Sequence, residues 1–240
     1  MTDQNVSASP SPPGDSSHTI KRWLLRTLLG TVVMILILFP TAGRIDWFMG
    51  WVYIAGLLLV GVLTGILVDP GLLAERSQRR HANQAGWDRI LFPIYGTFTG
   101  FFIPVFAALD QRFGWSPPIP TWLLIVAAVI YFASWGINIW AMIANKYFAE
   151  VARIQNNRNQ KVMTGGPYRI VRHPGYTTGF FLSASMSLVL ESTWGLLISI
   201  PAGLLLVLRT VLEDRMLLDE LDGYQEYAQR VPYRLIPFIW

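Results

Sequence analysis

Cysteine is absent from the 240 residues, which excludes disulfides and thiolate metal sites. Charge is scarce as well. Asp, Glu, Lys and Arg supply 14% of the chain against 52% hydrophobic residues, whereas a soluble domain carries roughly 25% charged residues. An ordinary water-soluble domain is excluded on these grounds, and no repeat or second soluble unit is evident.

What the sequence has instead is long stretches without charge. They run over Thr27–Gly43, Trp47–Val68, Ile90–Leu109, Phe113–Asn145, Pro174–Leu190 and Ser192–Leu208, and together cover 126 residues. A helix crossing the hydrocarbon layer needs about 20 mostly apolar residues, with a range of roughly 17 to 25. Six stretches therefore predict about six crossings, the last two of minimal length. The fold class expected is all-α, a polytopic transmembrane helical bundle.

A net charge of +4 invites a nucleic-acid reading, but the placement of the charges gives another explanation. When alternate loops are assigned to opposite sides, seventeen of the nineteen basic residues fall on one side, and only Arg44 and Arg112 fall on the other. The positive-inside rule makes the basic side cytoplasmic, with both termini inside. No nucleic-acid partner is expected. The membrane is a bacterial inner membrane or one of endoplasmic-reticulum type. Residues 1–19, rich in Ser and Pro, are expected to be a disordered tail, and residues 20–240 a single transmembrane domain. The basic flank before Lys21–Ala42 resembles a signal peptide. The long polar leader and the absence of a small-x-small cleavage site favour a retained helix.

The first span is expected over about 23–40, ending at Pro40, and the second over 48–68. The loop 69–89 carries ERSQRRH at 75–81, read as a topology signal or as a surface helix against acidic lipid. The third span is placed at 90–109 and the fourth at 121–144. Residues 145–173 form the longest polar segment between spans. The last two spans, separated only by Glu191 and Ser192, must form a short antiparallel hairpin. Its Thr and Ser run is read as close helix packing, or as an opening toward lipid.

Two constellations can carry chemistry. In TGGPYRIVRHPGYTTG, Thr164 to Gly179, proline pushes the residue before it into extended backbone and is itself favoured in the first helical turn. His173 should therefore stand at the mouth of the fifth span. A helix start offers free N–H groups to a carboxylate or phosphate, and Arg172 would add charge-assisted hydrogen bonds. A plain helix-start turn with a basic flank is the competing reading. In the second constellation, Arg209 to Pro237, residues Arg209, Glu213, Met216 and Glu220 recur at helical spacing on one face. Arg209 and Glu213 either pair with each other or face a polar cavity. Asp219, Glu220 and Asp222 look solvated, and Tyr224 and Tyr227 suit a membrane interface.

The order GPYRIVRHPGYTTG, hydrophobic hairpin, LEDRMLL, GYQEYAQRVPYRLIP resembles the isoprenylcysteine carboxyl methyltransferase family and related integral-membrane methyltransferases over roughly residues 120–240. The resemblance implies an enzyme that uses S-adenosyl-L-methionine and a hydrophobic or lipid-linked acceptor entering from the bilayer. The prototype reaction is methyl esterification of a prenylated cysteine carboxylate. It also implies that Tyr168, Arg172, His173, Pro174, Gly175 and Tyr176 line the cofactor pocket, preceded by Gln160, Lys161, Val162 and Met163, with Arg153 nearby. Glu213 would touch the cofactor. Asp214 stands where the family has a second Glu, one methylene longer. Arg209 would hold the acceptor carboxylate, with Arg230 as a secondary candidate. No metal is implied. The resemblance leaves open a lipid amine or small thiol as acceptor. An NADPH-dependent membrane reductase of related fold, or a transporter or scaffold without catalysis, is the alternative outside this chemistry.

Overall fold

The computed structural model describes residues 16–76 and 83–240. Most of the expected tail, and residues 77–81 of the basic cluster, lie outside them. All regular structure among the described residues is helical. Helix α1 spans Ser16–Ala42, so residues 16–19, expected in the tail, are helical. The helix also runs two residues past Pro40 and is closed by Gly43 at φ 70°, whose N–H reaches Phe39 O at 2.9 Å. A left-handed residue at a helix end is cheapest as glycine. Helix α2, Phe48–Leu67, packs back on α1. At Gly61 an added Cβ would lie 2.2 Å from Thr27 Cγ2, so the two backbones approach as only glycine permits.

Helix α3, Pro70–Arg76, is capped by Asp69, whose Oδ1 accepts from Leu72 N at 3.1 Å. Its Leu72 and Leu73 are buried against Val60, Val68, Ile139 and Met142, while the surface-helix reading of 75–81 falls mostly on residues outside those described. The third span comprises α4, Asp88–Thr97, a π-helical turn over Phe98–Phe102, and α5, Ile103–Phe113. Pro104 accounts for the turn. It has no N–H to give to Gly100 and its ring crowds that carbonyl, and Ile103 N–H bonds five residues back to Phe98 O.

Helix α6 covers Thr121–Ala144, α7 Pro174–Val189, α8 Thr193–Glu220 and α9 Tyr224–Arg230. Among the described residues, five helices are long and apolar enough to cross a membrane: α1, α2, the third span as a whole, α6 and α8. The sixth expected span, α7, has 16 residues, about 24 Å at 1.5 Å per residue, against a hydrocarbon layer of about 30 Å. Its partner α8 continues well past the last charge-free residue, to 28 residues. The pair is thus a lopsided hairpin packed between α5 and α6, its tip fastened by a buried polar knot. Asp110 accepts from Ser116 N at 2.7 Å and from the hydroxyls of Ser116 and Ser192 at 2.5 Å, while Ser192 caps α8 through Gly195 N.

Candidate active site

The opposite end of the hairpin is built from loops that are polar for a reason. His173 has φ −123° and ψ 62°, outside the helical region, and its carbonyl takes the N–H groups of Tyr176 and Thr177 at 3.0 Å, starting α7 at Pro174 as expected. The backbone before it is pinned to the last segment of the chain. Arg172 N donates to Tyr233 O at 2.9 Å, His173 N to Arg234 O at 3.0 Å, and Thr177 Oγ1 to Leu235 O at 2.8 Å.

Side chains complete this clasp around Asp214, which is 1% exposed. Its carboxylate accepts from Arg172 Nε and Nη2 at 2.8 Å each, Arg234 Nε at 2.7 Å, Tyr224 Oη at 2.9 Å and His173 Nε2 at 3.1 Å. An ionised carboxylate only accepts, so Nε2 of His173 carries the proton and is committed. Nη1 of Arg172 is also committed, to the carbonyls of Val231 and Pro232. Arg172 therefore lines the site with each of its three nitrogens already hydrogen-bonded within the protein. Burial opposes the Arg172 charge, yet the hydrogen bonds and charge of Asp214 hold its pKa above the usual guanidinium value. Burial also pushes the Tyr224 phenol, facing the same carboxylate, far above its ordinary range. Tyr224 and Tyr227 are buried within the protein, the latter donating to Tyr168 O at 2.7 Å, so their rings pack on protein and not on lipid.

Glu213, one residue earlier and about 100° round the helix, has a different environment. It accepts from Tyr176 Oη and has no ion pair among the described residues. Arg209, one turn before it, pairs with neither Glu213 nor an open cavity alone. Its Nε donates to Asp88 Oδ1 at 2.8 Å and its Nη2 to Glu150 O at 3.0 Å, and the guanidinium sits between the rings of Phe92 and Tyr176, 5.2 and 5.0 Å from their centroids. Asp88, fully buried, also accepts from Ala152 N at 2.8 Å, so the pair ties the third span, α8 and the 145–155 loop together. Met216 and Glu220, expected on the same face, instead line a separate outer hollow with Leu212 and Asp219.

These elements enclose a cavity of about 420 Å³, within the roughly 300–1,000 Å³ usual for small-molecule sites. Arg153, Gln160, Lys161, Val162, Met163, Tyr168, Arg172, His173, Pro174, Gly175, Tyr176, Arg209 and Glu213 all line it. Arg230 does not; it is exposed at the end of α9. Two glycines keep the space open to close neighbours: a Cβ at Gly175 would meet the Phe148 ring at 2.8 Å, and one at Gly179 the Tyr95 hydroxyl at 2.9 Å. Toward the membrane interior the wall becomes apolar, with Phe92, Trp135, Leu182 and Leu206. Tyr168, whose phenol burial holds well above its usual pKa, receives a hydrogen bond from Asn145 Nδ2 at 3.0 Å.

Arg153, which the resemblance named, stands beside wall residues that had no signal of their own. Arg153 pairs with Glu75. Arg76, on α3, pairs through Nη2 with Glu150 Oε1 at 2.9 Å and lies 5.3 Å from the Phe148 ring centroid. Its Nε and Nη1 are buried and have no hydrogen-bond partner among the described residues. A buried donor left unpaired costs about 1–3 kcal/mol, and more on a charged group. Burial accordingly lowers the Arg76 pKa from its usual value. Arg76 ends a short helix and Glu150 lies in a loop, neither within a periodic pattern, and the same holds for Asp88 behind the wall at the start of α4; only the scarcity of charge near the spans marked them.

Residues 122–221 match the phospholipid methyltransferase family, within the region over which the sequence resembles membrane methyltransferases. A search of curated proteins found no significant match. Among solved structures, the chain is similar to the eukaryotic intramembrane Ras methyltransferase, isoprenylcysteine carboxyl methyltransferase, with a TM-score of 0.47 and 16% identity, covering 94% of this chain and 98% of the other.

Proposed function

We propose that this chain, an integral membrane protein whose residues 122–221 match the phospholipid methyltransferase family, transfers a methyl group from S-adenosylmethionine to a hydrophobic acceptor. The observation that carries the reading is the single cavity shared by residues 153–176 and the Arg209–Glu213 turn, polar at one end and apolar toward the membrane interior. S-adenosylmethionine, when bound, supplies a methyl carbon made electrophilic by its sulfonium. The residues suit it. Glu213, a carboxylate with no ion pair among the described residues, complements a positive charge, while the Tyr176 ring beside it is already engaged by Arg209 and His173. Gln160 to Met163 and His173 to Tyr176 line the polar end and would hold the nucleoside portion.

The reaction is a displacement that demands alignment and exclusion of water more than acid–base machinery. Arg209 is held rigidly by Asp88, Glu150 and two rings, which suits a positioning role toward an anionic acceptor. A carboxylate acceptor is ionised at neutral pH, since its unperturbed pKa is about 4, and needs no base. On this basis the acceptor is a lipid-linked carboxylate, with a prenylated cysteine as prototype. A lipid amine is the second reading, favoured by the description of the matched family. An amine must lose a proton, and two groups on the cavity wall can take it: the Glu213 carboxylate, or the Nδ1 lone pair of His173, which stays open when Nε2 donates to Asp214. By the distribution of basic residues, the polar end and both termini face the cytoplasm.

The test is equilibrium binding of labelled S-adenosylmethionine and NADPH to the purified protein, followed by methyl transfer to prenyl-cysteine, phospholipid and thiol acceptors. Binding of NADPH without S-adenosylmethionine would defeat the reading. Glu213→Ala should weaken donor binding, whereas Arg209→Ala should mainly impair acceptor use; unchanged kinetics in both variants would remove the site.

A further inference from the structure

The matched family region begins at residue 122, yet part of the cavity wall comes from the first half of the chain. Arg76, at the end of α3, enters the wall beside Glu150, with Asp69 capping its helix and Leu72 and Leu73 anchoring it in the core. Residue 150 is held in turn, its carbonyl accepting from Arg209 Nη2 at 3.0 Å. The Arg76–Glu150 pair is therefore a fixed feature of the wall and not a loose surface contact.

Its hydrogen bonding is incomplete in a particular way. The Arg172 guanidinium has all three nitrogens bonded within the protein. On Arg76 only Nη2 is bonded, to Glu150 Oε1 at 2.9 Å, while Nε and Nη1 have no partner among the described residues. The aromatic face of Phe148 backs the guanidinium and cannot accept in its plane. Glu150 retains a side chain 33% exposed, with Oε2 outside that pair. One cation with spare donors and one carboxylate with spare acceptor capacity stand side by side in the polar end of the cavity. A lone anion such as phosphate would meet the Glu150 charge, and a lone cation would meet Arg76. A group carrying both charges on adjacent atoms matches both.

We propose that Arg76 and Glu150 form the receptor for a zwitterionic α-amino-acid group, Arg76 taking the carboxylate and Glu150 the ammonium, that group being the methionyl end of the methyl donor. This rests on the donor reading above and deepens it. It assigns to the first half of the chain a binding role in the site and separates recognition of the amino-acid end from recognition of the sulfonium by Glu213.

The test compares two ligands of the purified protein by equilibrium binding: S-adenosylhomocysteine, which has the amino-acid end, and 5′-methylthioadenosine, the same nucleoside thioether without it. Arg76→Met should weaken S-adenosylhomocysteine about tenfold to a hundredfold, the range for hydrogen bonds to a charged group, and leave methylthioadenosine within about twofold. Glu150→Gln should act in the same direction more weakly. Equal loss of both ligands, or no loss of either, overturns the proposal. So does normal S-adenosylhomocysteine binding with a raised acceptor KM, which would assign Arg76 to the acceptor. If the wild-type protein binds neither nucleoside, the donor reading itself fails. Should Arg76→Met not fold, wild-type protein decides, because decarboxylated S-adenosylmethionine should bind at least about tenfold more weakly than S-adenosylmethionine; equal affinity overturns the proposal.

Discussion

The two ends of the α7–α8 hairpin both bury polar side chains, and they use them for opposite purposes. At the tip, Asp110 is satisfied by Ser116 and Ser192 and a neighbouring hydroxyl, Thr193, closes the group at 2.6 Å from Ser116. Nothing there is left to bind. At the open end the Asp214 cluster is equally complete, but it borders residues that are not, Glu213 and Arg76. The contrast recurs between neighbours: Asp214 is spent on holding Arg172, His173, Tyr224 and Arg234, while Glu213 faces the cavity. Buried polarity marks a site only where its hydrogen bonding is unfinished.

Substitutions can break this contrast. The largest effect is expected from Asp214→Ala, which strands two arginines and a histidine; removing one partner of a buried pair costs about 3–5 kcal/mol. Thermal unfolding in detergent should show the loss, and donor binding should fail with it. Asp110→Ala should come next, at about 2–3 kcal/mol for the orphaned Ser116 and Ser192 groups, but with the donor Kd unchanged, since the tip is remote from the cavity. A changed Kd in that variant would join the two ends and undo the comparison. Glu213→Gln keeps an acceptor for Tyr176 and should shift stability by no more than about 0.5 kcal/mol, while weakening the sulfonium donor more than the neutral S-adenosylhomocysteine. Arg230→Ala, at an exposed position, should alter neither stability nor acceptor KM; a raised KM would restore it to the site.

Much of the bundle was legible in advance because charge-free runs report helices directly, and because Pro174 after His173 marks a helix start whatever surrounds it. The length of α7 was also written there, in a run too short to cross comfortably. The partners of buried charges were not legible. Arg209 meets Asp88 across 121 positions and Arg172 meets Asp214 across 42, and no local spacing encodes such pairings. Helical periodicity put Arg209 and Glu213 on one face and left a mutual pair or a polar cavity open; both line the cavity, and the partner of Arg209 comes from the third span. Arg76 was obscured by the basic cluster 75–81 to which it belongs, which reads as topology. Tyr224 and Tyr227 were read as packing on lipid because aromatics are frequent at interfaces, whereas Tyr224 is buried on Asp214 and Tyr227 on the carbonyl of Tyr168.

The brevity of α7 has a consequence for the lipid around it. A helix of about 24 Å beside neighbours that span the full layer leaves a hydrophobic mismatch on one flank, which a membrane meets by thinning locally or by letting headgroups sink toward the protein. Because the cavity opens at the N-terminal end of this same helix, any thinning of the layer along α7 would bring the polar–apolar boundary of the lipid closer to the cavity wall.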